Sequence, residues 1–527
     1  ADIKIIGLST GAHDVSYAIL ENGKVTYHAE LERHTREKEC SGDAVEFLLD
    51  NEDLSDVSYV TNFIGRWRGG IPQRYPESWK RLQSTLKKVG GEYVEVGHHK
   101  AHAANAFFSS DLDDSMIVTI DGGGDDDGTG IVQETCATAW RGSRNKIEHL
   151  ITIAYNFNPG VFWSNFTKKV FGLSTGPPKG NQCGTVMGMA ALGDPEMYGE
   201  AILNDPGFFA GVGPFPYEMY SGIAQESEQQ AFNVAAGLQY ATEKKIKEFF
   251  EFLFTEFGQP ENLCLAGGVV LNSVMTGKIP EWFPFLKNIY IPPVPYDAGL
   301  AIGTAQYLYH HELNFPRVDF DGPFPAYLGG IYGKDEVTAA VKDLSWRVSS
   351  DEEVVKLLTE KNVVSLFGGR SESGRRALGN RSIIADPRHS DMKDIVNERV
   401  KHRQWFRPFA PSVLEECVKD WFETEIQSPY MSFVSKFRTE CAQKVPAVVH
   451  HDGTGRLQTV SKKSNTWYYE FIKKFYEATS VPMILNTSFN DREPIVETPK
   501  NAVDCFLKTN IDYLYFTDYN ILVTKNS

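Results

Sequence analysis

The sequence predicts an α/β protein of more than one domain, and three observations carry that reading. Apolar strand-like runs end in glycine turns, Met116–Ile120 before Asp121-Gly122-Gly123-Gly124 and Leu263–Ala266 before Gly267-Gly268. Helical spacing appears between and after them, as expected where strands alternate with helices. At 527 residues the chain exceeds what one hydrophobic core organises.

Taken in order, Lys4–Leu8, Val15–Leu20 and Lys24–Leu31 are apolar runs separated by Gly11 and by Glu21-Asn22-Gly23, which predicts a three-stranded antiparallel start. Asn233–Phe254 shows helical spacing, with Ala235, Leu238, Ile246, Phe249, Phe250 and Leu253 as its buried stripe. A helix is expected from about Val270, after the second glycine turn. Residues 314–333, rich in Pro and Gly, form the junction. Helical stretches at Asp335–Asp343 and Asp351–Lys361 and a strand at Val363–Phe367 follow, so domains are expected at 1–340 and 341–527.

Composition narrows the function. Hydrophobic residues make up 42% and aromatics 12%, as in globular proteins, and no apolar stretch reaches the ~20 residues of a membrane span. A net charge of −16 disfavours non-specific binding to polyanions. The N-terminal segment has no basic region followed by an apolar one, so no secretory signal is read there. Cys40, Cys136, Cys183, Cys264, Cys417, Cys441 and Cys505 are scattered and never in CxxC, which suits a reducing cytoplasm.

The densest chemistry lies in His98-His99-Lys100-Ala101-His102 and in Asp121. On a helix, His98 and His102 share a face, and Asp121 ends a strand beside small glycines. Two imidazoles and a carboxylate form a divalent-metal site with open positions for a phosphate. The alternative is a polar helix with incidental histidines. The run Asp121–Asp127 sets four Asp about three Gly and reads as a metal- or phosphate-side loop.

Ten motifs then occur in a fixed order: GLSTGAHDVSYAIL, AELERHTREKE, HHKAHAANA, VTIDGGG, LAGGVVLNS, PPVPYDAGLAIGTA, SGRRALGNRSIIADPR, VKHRQWFRPFAPSVL, DGTGRLQTV and LNTSFNDREPIVETP. In these motifs the chain resembles the O-carbamoyltransferase family, which includes the tobramycin, nodulation-factor and cephalosporin carbamoyltransferases, over nearly its whole length. The resemblance implies an N-terminal actin-like, sugar-kinase-like domain of the threonylcarbamoyl-transferase type and a C-terminal YrdC-like α+β domain. It also implies a reaction in two steps. Carbamoyl phosphate and ATP, with Mg2+, give carbamoyl adenylate in the second domain; an acceptor hydroxyl then attacks its carbonyl in the first.

Carried onto this sequence, the family's metal set falls on His98, His102, Asp121 and Asp297, with Fe(II) as the family's metal. Zinc, manganese or cobalt suit the same ligand types. His99 reads as structural. His13 takes the catalytic position, accepting the hydroxyl proton or donating to the oxyanion, with Asp14 beside it. Gly267, Gly268 and Asn272 face the adenosine, and Lys38 faces phosphate, although charged runs like that around Lys38 usually form solvated faces.

In the second domain, Arg375, Arg376, Arg381, Arg388, Lys401, Arg403 and Arg407 concentrate positive charge, as binding of carbamoyl phosphate and ATP requires. Lys401 and Arg403 resemble a KxR element, and Asn486 to Asn490 a Ser/Asn loop. The resemblance gives catalytic roles to Lys401, Arg407, Arg456 and Ser488. It gives nucleotide or phosphate contacts to Arg376, Arg403, Met431, Asn486 and Asn490.

One departure stands out: family members commonly carry Gly-Lys before a VMGLA-like segment, where this chain reads Gln182-Cys183-Gly184-Thr185-Val186-Met187-Gly188. Cys183 has no neighbouring histidine in the sequence and reads as a packing residue. Acceptor choice is assigned to the segments Arg66–Arg74 and Tyr155–Gln182. A sugar, nucleoside or natural-product hydroxyl is the expected acceptor. A hydroxymethylated base in nucleic acid and a non-catalytic nucleotide-binding regulator stay open as alternatives. The related fold often forms dimers, so a homodimer is among the states the resemblance allows.

Overall fold

The computed structural model describes residues 2–65, 70–124, 135–154 and 157–525. The chain divides into two compact units, one of Ala1–Met275 with Ile279–Phe320, the other of Thr276–Lys278 with Asp321–Ser527. The helix Lys334–Val341 lies in the second unit because Val337 and Val341 are buried in that unit's core, so the division falls before the boundary read near residue 340.

Two five-stranded sheets of the same topology build the first unit. In the first, β1 (Lys4–Ser9), β2 (Ser16–Glu21) and β3 (Lys24–Glu30) form the expected antiparallel start. Asn22 and Gly23, both at positive φ, make the two-residue turn that this hairpin twist favours. β4 (Tyr59–Phe63) and β5 (Glu92–Val96) add in parallel, giving the order β3-β2-β1-β4-β5. The second sheet repeats this with β6 (Asp114–Ile120), β7 (Thr135–Ser143) and β8 (Lys146–Ala154) antiparallel. A small ribbon of β9 (Thr175–Gly176) and β10 (Gly180–Asn181) intervenes in the chain. β11 (Asn262–Ala266) and β12 (Asn288–Tyr290) then join in parallel, in the order β12-β11-β6-β7-β8.

The helix His98–Phe108 is buried on nearly all sides, and the helix Leu300–Gln306 packs against it. Glycine sets the approach: a Cβ on Gly303 would lie 2.0 Å from the Ala101 carbonyl oxygen, and one on Gly7 would lie 1.7 Å from that of Ala301. The long helix Glu228–Phe257 starts at a Ser227 cap and buries the expected stripe. The helix expected from Val270 is shorter than read. A 3-10 turn, Gly268–Leu271, gives way to one helical turn, Ser273–Thr276, because the Asn272 side chain accepts the Met275 amide at 3.1 Å and restarts the chain direction.

His310 sits in the π-helical turn Tyr307–Glu312, fully buried against Phe108, with Nδ1 donating to the Phe315 carbonyl at 3.1 Å. Burial, joined by the Arg317 charge, pushes its pKa down from 6.5 to about 4. The unfolded chain therefore binds a proton that the fold refuses, and stability falls as pH drops from 6.5 through 4. The loss levels near 3 kcal/mol, roughly 1.4 kcal/mol per pKa unit. Urea midpoints measured across this window are expected to fall less steeply for His310→Gln than for the parent chain.

The second unit has a mixed nine-stranded sheet. Its strands are β13 (Ser345–Val348), β14 (Val364–Phe367), β15 (Ser382–Ala385), β16 (Ala410–Leu414) and β17 (Phe433–Lys436), then β18 (Thr454–Val460), β19 (Met483–Ser488), β20 (Tyr513–Phe516) and β21 (Ile521–Thr524). They lie in the order β13-β21-β20-β14-β15-β19-β16-β18-β17, parallel at β14/β20 and β16/β18. Helices Asp351–Thr359, Thr466–Thr479 and Pro499–Lys508 contribute Val354, Leu358, Phe471, Phe475 and Phe506 to its core. The molecule is thus α/β in its first unit and α+β in its second. No described helix is long and apolar enough to cross a membrane.

Candidate functional site

His98 and His102 lie one turn apart on a single helix face, and Asp121 follows the last residue of β6. Asp297 opens the 3-10 turn that leads into the helix Leu300–Gln306, so the glycine-mediated packing of that helix brings it to the histidines. His98 Nε2 is 3.1 Å from Asp121 Oδ2 and 3.4 Å from Asp297 Oδ1; His102 Nε2 is 3.0 and 3.3 Å from the same two atoms. One ligand atom from each of the four residues lies within 4.8 Å of every other.

The surroundings hold these groups still. The Gly122 amide donates to Asp121 Oδ1 at 2.7 Å, leaving Oδ2 for the imidazoles. Phe63 meets the His98 ring edge-on, with centroids 5.3 Å apart. A Cβ on Gly124 would strike that ring at 2.6 Å. Ser9 Oγ donates to the Asp297 carbonyl, and Ser16 Oγ and His28 Nε2 both donate to the Ala298 carbonyl, at 2.8–2.9 Å. Asn105 Nδ2, on the histidine helix, donates to the Val294 carbonyl at 2.9 Å.

Electrostatics favour the charged pairs. Burial pulls the His98 and His102 pKa values down, but Asp297 and Asp121 outweigh it and raise both. Burial pushes the two carboxyls up, and the imidazoles hold both below the usual carboxylate range. Two nitrogen and two oxygen donors converging in this way fit a divalent cation, which would displace the imidazole protons.

His13 lies beside this set, half-exposed, with Nδ1 2.7 Å from Asp14 Oδ2 and Nε2 4.0 Å from Asp297 Oδ2. The Asp14 bond, against burial and with help from Asp297, raises its pKa to about 9. His99 faces the other way, taking the Thr119 hydroxyl at Nδ1 and donating from Nε2 to the Thr135 carbonyl, so it braces β6 against β7. Gly267 stands where a Cβ would lie 2.1 Å from the Ile120 carbonyl oxygen, and the Cβ position of Gly268 is 3.6 Å from Asp121 Oδ1. Both glycines therefore border the Asp121 turn. Asn272 forms a reciprocal amide pair with Gln239 at 3.0–3.1 Å, and Gln239 also donates to Glu243. Gln239 was not singled out in the sequence; the one signal there is a polar residue directly after Leu238 of the apolar stripe.

The charged run around Lys38 departs from a solvated face. Glu30, Arg33 and Glu39 are buried; Glu30 accepts the Tyr296 hydroxyl at 2.6 Å and Glu39 the Asn181 amide, so the run underpins the Asp297 turn and the small ribbon. Lys38 lays its stem along Gly180. Cys183 packs against Thr167. Residues 66–69, 125–127 and 155–156 of the segments singled out above lie outside the described residues.

In the second unit Lys401 ends a π-helical turn and is buried, with Nζ donating to the Ser488 carbonyl, Ser488 Oγ, the Asn490 carbonyl and Asn490 Oδ1 at 2.6–3.2 Å. Arg376, Arg403, Arg407 and Arg456 gather as neighbours. Burial, then the nearby guanidinium charges, lowers the pKa values of Arg403 and Arg456, and burial alone brings Arg407 to about 10. The Nε atoms of Arg403 and Arg456 are buried without a hydrogen-bond partner among the described residues. Met431 is buried at φ 58°, beside Tyr430, whose hydroxyl donates to the Phe324 carbonyl.

Three of the expected polar contributors are engaged by the protein's own groups. Arg381 is fully buried, donates to the Gly368 and Asn380 carbonyls and stacks 3.6 Å from the Phe367 centroid. Arg388 grips Asp386 bidentately at 2.8–3.1 Å, which is a local ion pair rather than a phosphate fork. Asn486 Nδ2 faces the Ala377 carbonyl, Ser412 Oγ and Gln458 Oε1.

Residues 217–306 match the family model described as Carbamoyltransferase N-terminus, and residues 355–524 match Carbamoyltransferase C-terminus. The chain is 31% identical to the uncharacterized protein sll1178 of Synechocystis sp., over 99% of this chain and 97% of that one. It is 34% identical to nodulation protein NolNO of Sinorhizobium fredii, over 97% of this chain and 79% of that one. Among solved structures, T. kodakarensis HypF overlaps 58% of this chain and 47% of its own, with a TM-score of 0.37 and 15% identity. Two matched family segments, and relatives above 30% identity that cover nearly all of this chain, leave one assignment: the chain belongs to the carbamoyltransferase family and is a transferase enzyme.

Proposed function

We propose that the chain is an ATP-dependent O-carbamoyltransferase working at two sites, one in each unit. The observation that carries this reading is the group Arg376, Arg403, Arg407 and Arg456, each partly buried, in the unit that also holds the Lys401–Ser488 pair. Guanidinium groups keep their charge at any ordinary pH, so holding four of them together and partly screened from water is costly unless a polyanion is the normal guest. Carbamoyl phosphate and the ATP triphosphate supply such charge. Arg403 and Arg456 would grip phosphoryl oxygens through their open Nε–H donors, and Lys401 and Ser488 would line the same anion.

The adenylation balances with one water. The water oxygen goes to the departing phosphate, a carbamate oxygen bonds the α-phosphorus of ATP, and the bond to pyrophosphate breaks. At the first unit the acceptor oxygen bonds the carbamoyl carbon and the bond to AMP breaks. His13, oriented through Nδ1 by Asp14, would hold or move the proton at Nε2, and a pKa near 9 favours donation to the developing oxyanion. His98, His102, Asp121 and Asp297 would hold a divalent metal, Fe(II) by family likeness. When bound, it supplies Lewis-acid neutralisation of adenylate phosphate oxygens. Gly267 and Gly268 let a nucleotide approach the backbone there, and a small hydroxylated molecule is the acceptor.

The test is product analysis of the full chain with carbamoyl phosphate, ATP and Mg2+, with and without hydroxylated acceptors. Pyrophosphate and carbamoyl adenylate without acceptor, and carbamoylated product with one, are the expected results. Normal ATP binding with neither product would leave the regulator reading in its place.

A further inference from the structure

A buried carboxylate underlies the arginine loop of the second unit. Glu372 is 2% exposed, and its Oε1 accepts three backbone amides, those of Leu378, Asn380 and Arg381, at 2.8–3.1 Å. Its Oε2 is buried with no hydrogen-bond partner among the described residues. The Leu378 peptide is held from its other end too, since its carbonyl accepts the Tyr327 hydroxyl at 2.7 Å and Gln458 Nε2 at 3.0 Å. Gly379, at φ 114°, leaves no room for a side chain, because a Cβ would meet the Tyr468 ring at 2.5 Å. The approach to the loop is pinned as well: Ser371 Oγ donates to Glu497 at 2.7 Å, and the Ser373 amide donates to the Ala326 carbonyl at 2.7 Å. Between these fixed ends the chain has only Gly374, at φ 101°, then Arg375, Arg376 and Ala377.

We infer that Glu372 is a positioning residue for adenylate formation: its carboxylate closes the 372–381 turn and so sets Arg376 against Arg456, Arg403 and Arg407. Three amides on one carboxylate oxygen make a charge-assisted clamp, stronger than the same bonds to a neutral acceptor. The turn it closes carries Arg376, which lies near Arg456. Glu372 touches no reacting atom and acts through Arg376. The inference rests on the two-site reading above.

A double-mutant cycle tests it, using the full chain and steady-state pyrophosphate release at saturating ATP. Glu372→Ala is expected to raise the KM for carbamoyl phosphate about tenfold or more, since the loop loses its three charge-assisted bonds and Arg376 loses its fixed place. Arg376→Ala should give a loss of similar size. Adding Glu372→Ala to Arg376→Ala should cost less than about twofold further, because residues acting through one another are not additive. Transfer from supplied carbamoyl adenylate to acceptor, a reaction of the first unit, should stay at the parent rate. Glu372→Gln, which keeps an acceptor oxygen but loses the charge, should fall between parent and alanine variant, and it replaces the alanine variant in the cycle if that chain does not fold. An unchanged KM, or equal losses in the Arg376 and Arg376→Ala backgrounds, overturns the inference. A parent chain that forms no adenylate removes the two-site reading itself, and the inference with it.

Discussion

Lys401→Ala is expected to lower carbamoyl-adenylate formation by about 10²–10³, the cost of removing a preorganised charge from a water-poor site. The geometry explains why the effect is large. Nζ reaches four oxygens, two on Ser488 and two on Asn490, so the ammonium both supplies charge and folds the 488–490 turn around itself. Removing it strands these acceptors in a buried place, and a group left so costs ~1–3 kcal/mol. The thermal midpoint should therefore drop along with the rate. Lys401→Arg separates the two contributions. A planar guanidinium cannot reproduce a compact point charge among four oxygens, so this variant should keep positive charge and still lose most of the rate. Pyrophosphate release without acceptor measures the first step by itself. A Lys401→Ala chain with parental pyrophosphate release would remove Lys401 from the chemistry.

How much of this was legible in the sequence follows from how local each signal is. The spacing of His98 and His102 encodes a shared helix face, and Asn22-Gly23 encodes its turn, so both were readable within a few residues. Asp297 reaches the histidines only because Gly303 lets one helix backbone close on another, a contact that no window around Asp297 contains. It was reached through resemblance. The run from Glu30 to Glu39 looks solvated because its charges are dense. The burial of Glu30 and Glu39 within it depends on Tyr296 and Asn181, far along the chain. Counting cations gathered Arg381 and Arg388 with Arg376, since composition does not say that Arg381 lies on the Phe367 ring or that Arg388 grips Asp386. Glu372 gave no signal at all: a lone acid between two serines acquires its role from three amides of the turn that follows.

The second large effect is a separation of the two half-reactions. Asp297→Asn, or His98→Ala with His102→Ala, should lower metal affinity by about 10² or more, as expected when a ligand rather than its outer partner is lost, and carbamoyl transfer should fall with it. Adenylate formation should remain, because Lys401, Ser488 and the arginine group belong to the other unit. Carbamoyl adenylate and pyrophosphate then accumulate while acceptor stays unmodified. The two replacements differ in a way the geometry dictates. Removing both histidines leaves Asp121 and Asp297 facing each other without the imidazoles that keep them ionised, so these carboxyls should titrate at higher pH than in the parent chain. Asp297→Asn removes one of the facing charges instead, and Asp121 keeps both imidazole partners. The chelated parent chain should behave like the variants and recover when metal is returned, whereas the variants should not recover at the same concentration. Parental transfer rates in the doubly substituted histidine chain would detach the four-residue set from catalysis and leave His13 and Asp14 to account for transfer alone.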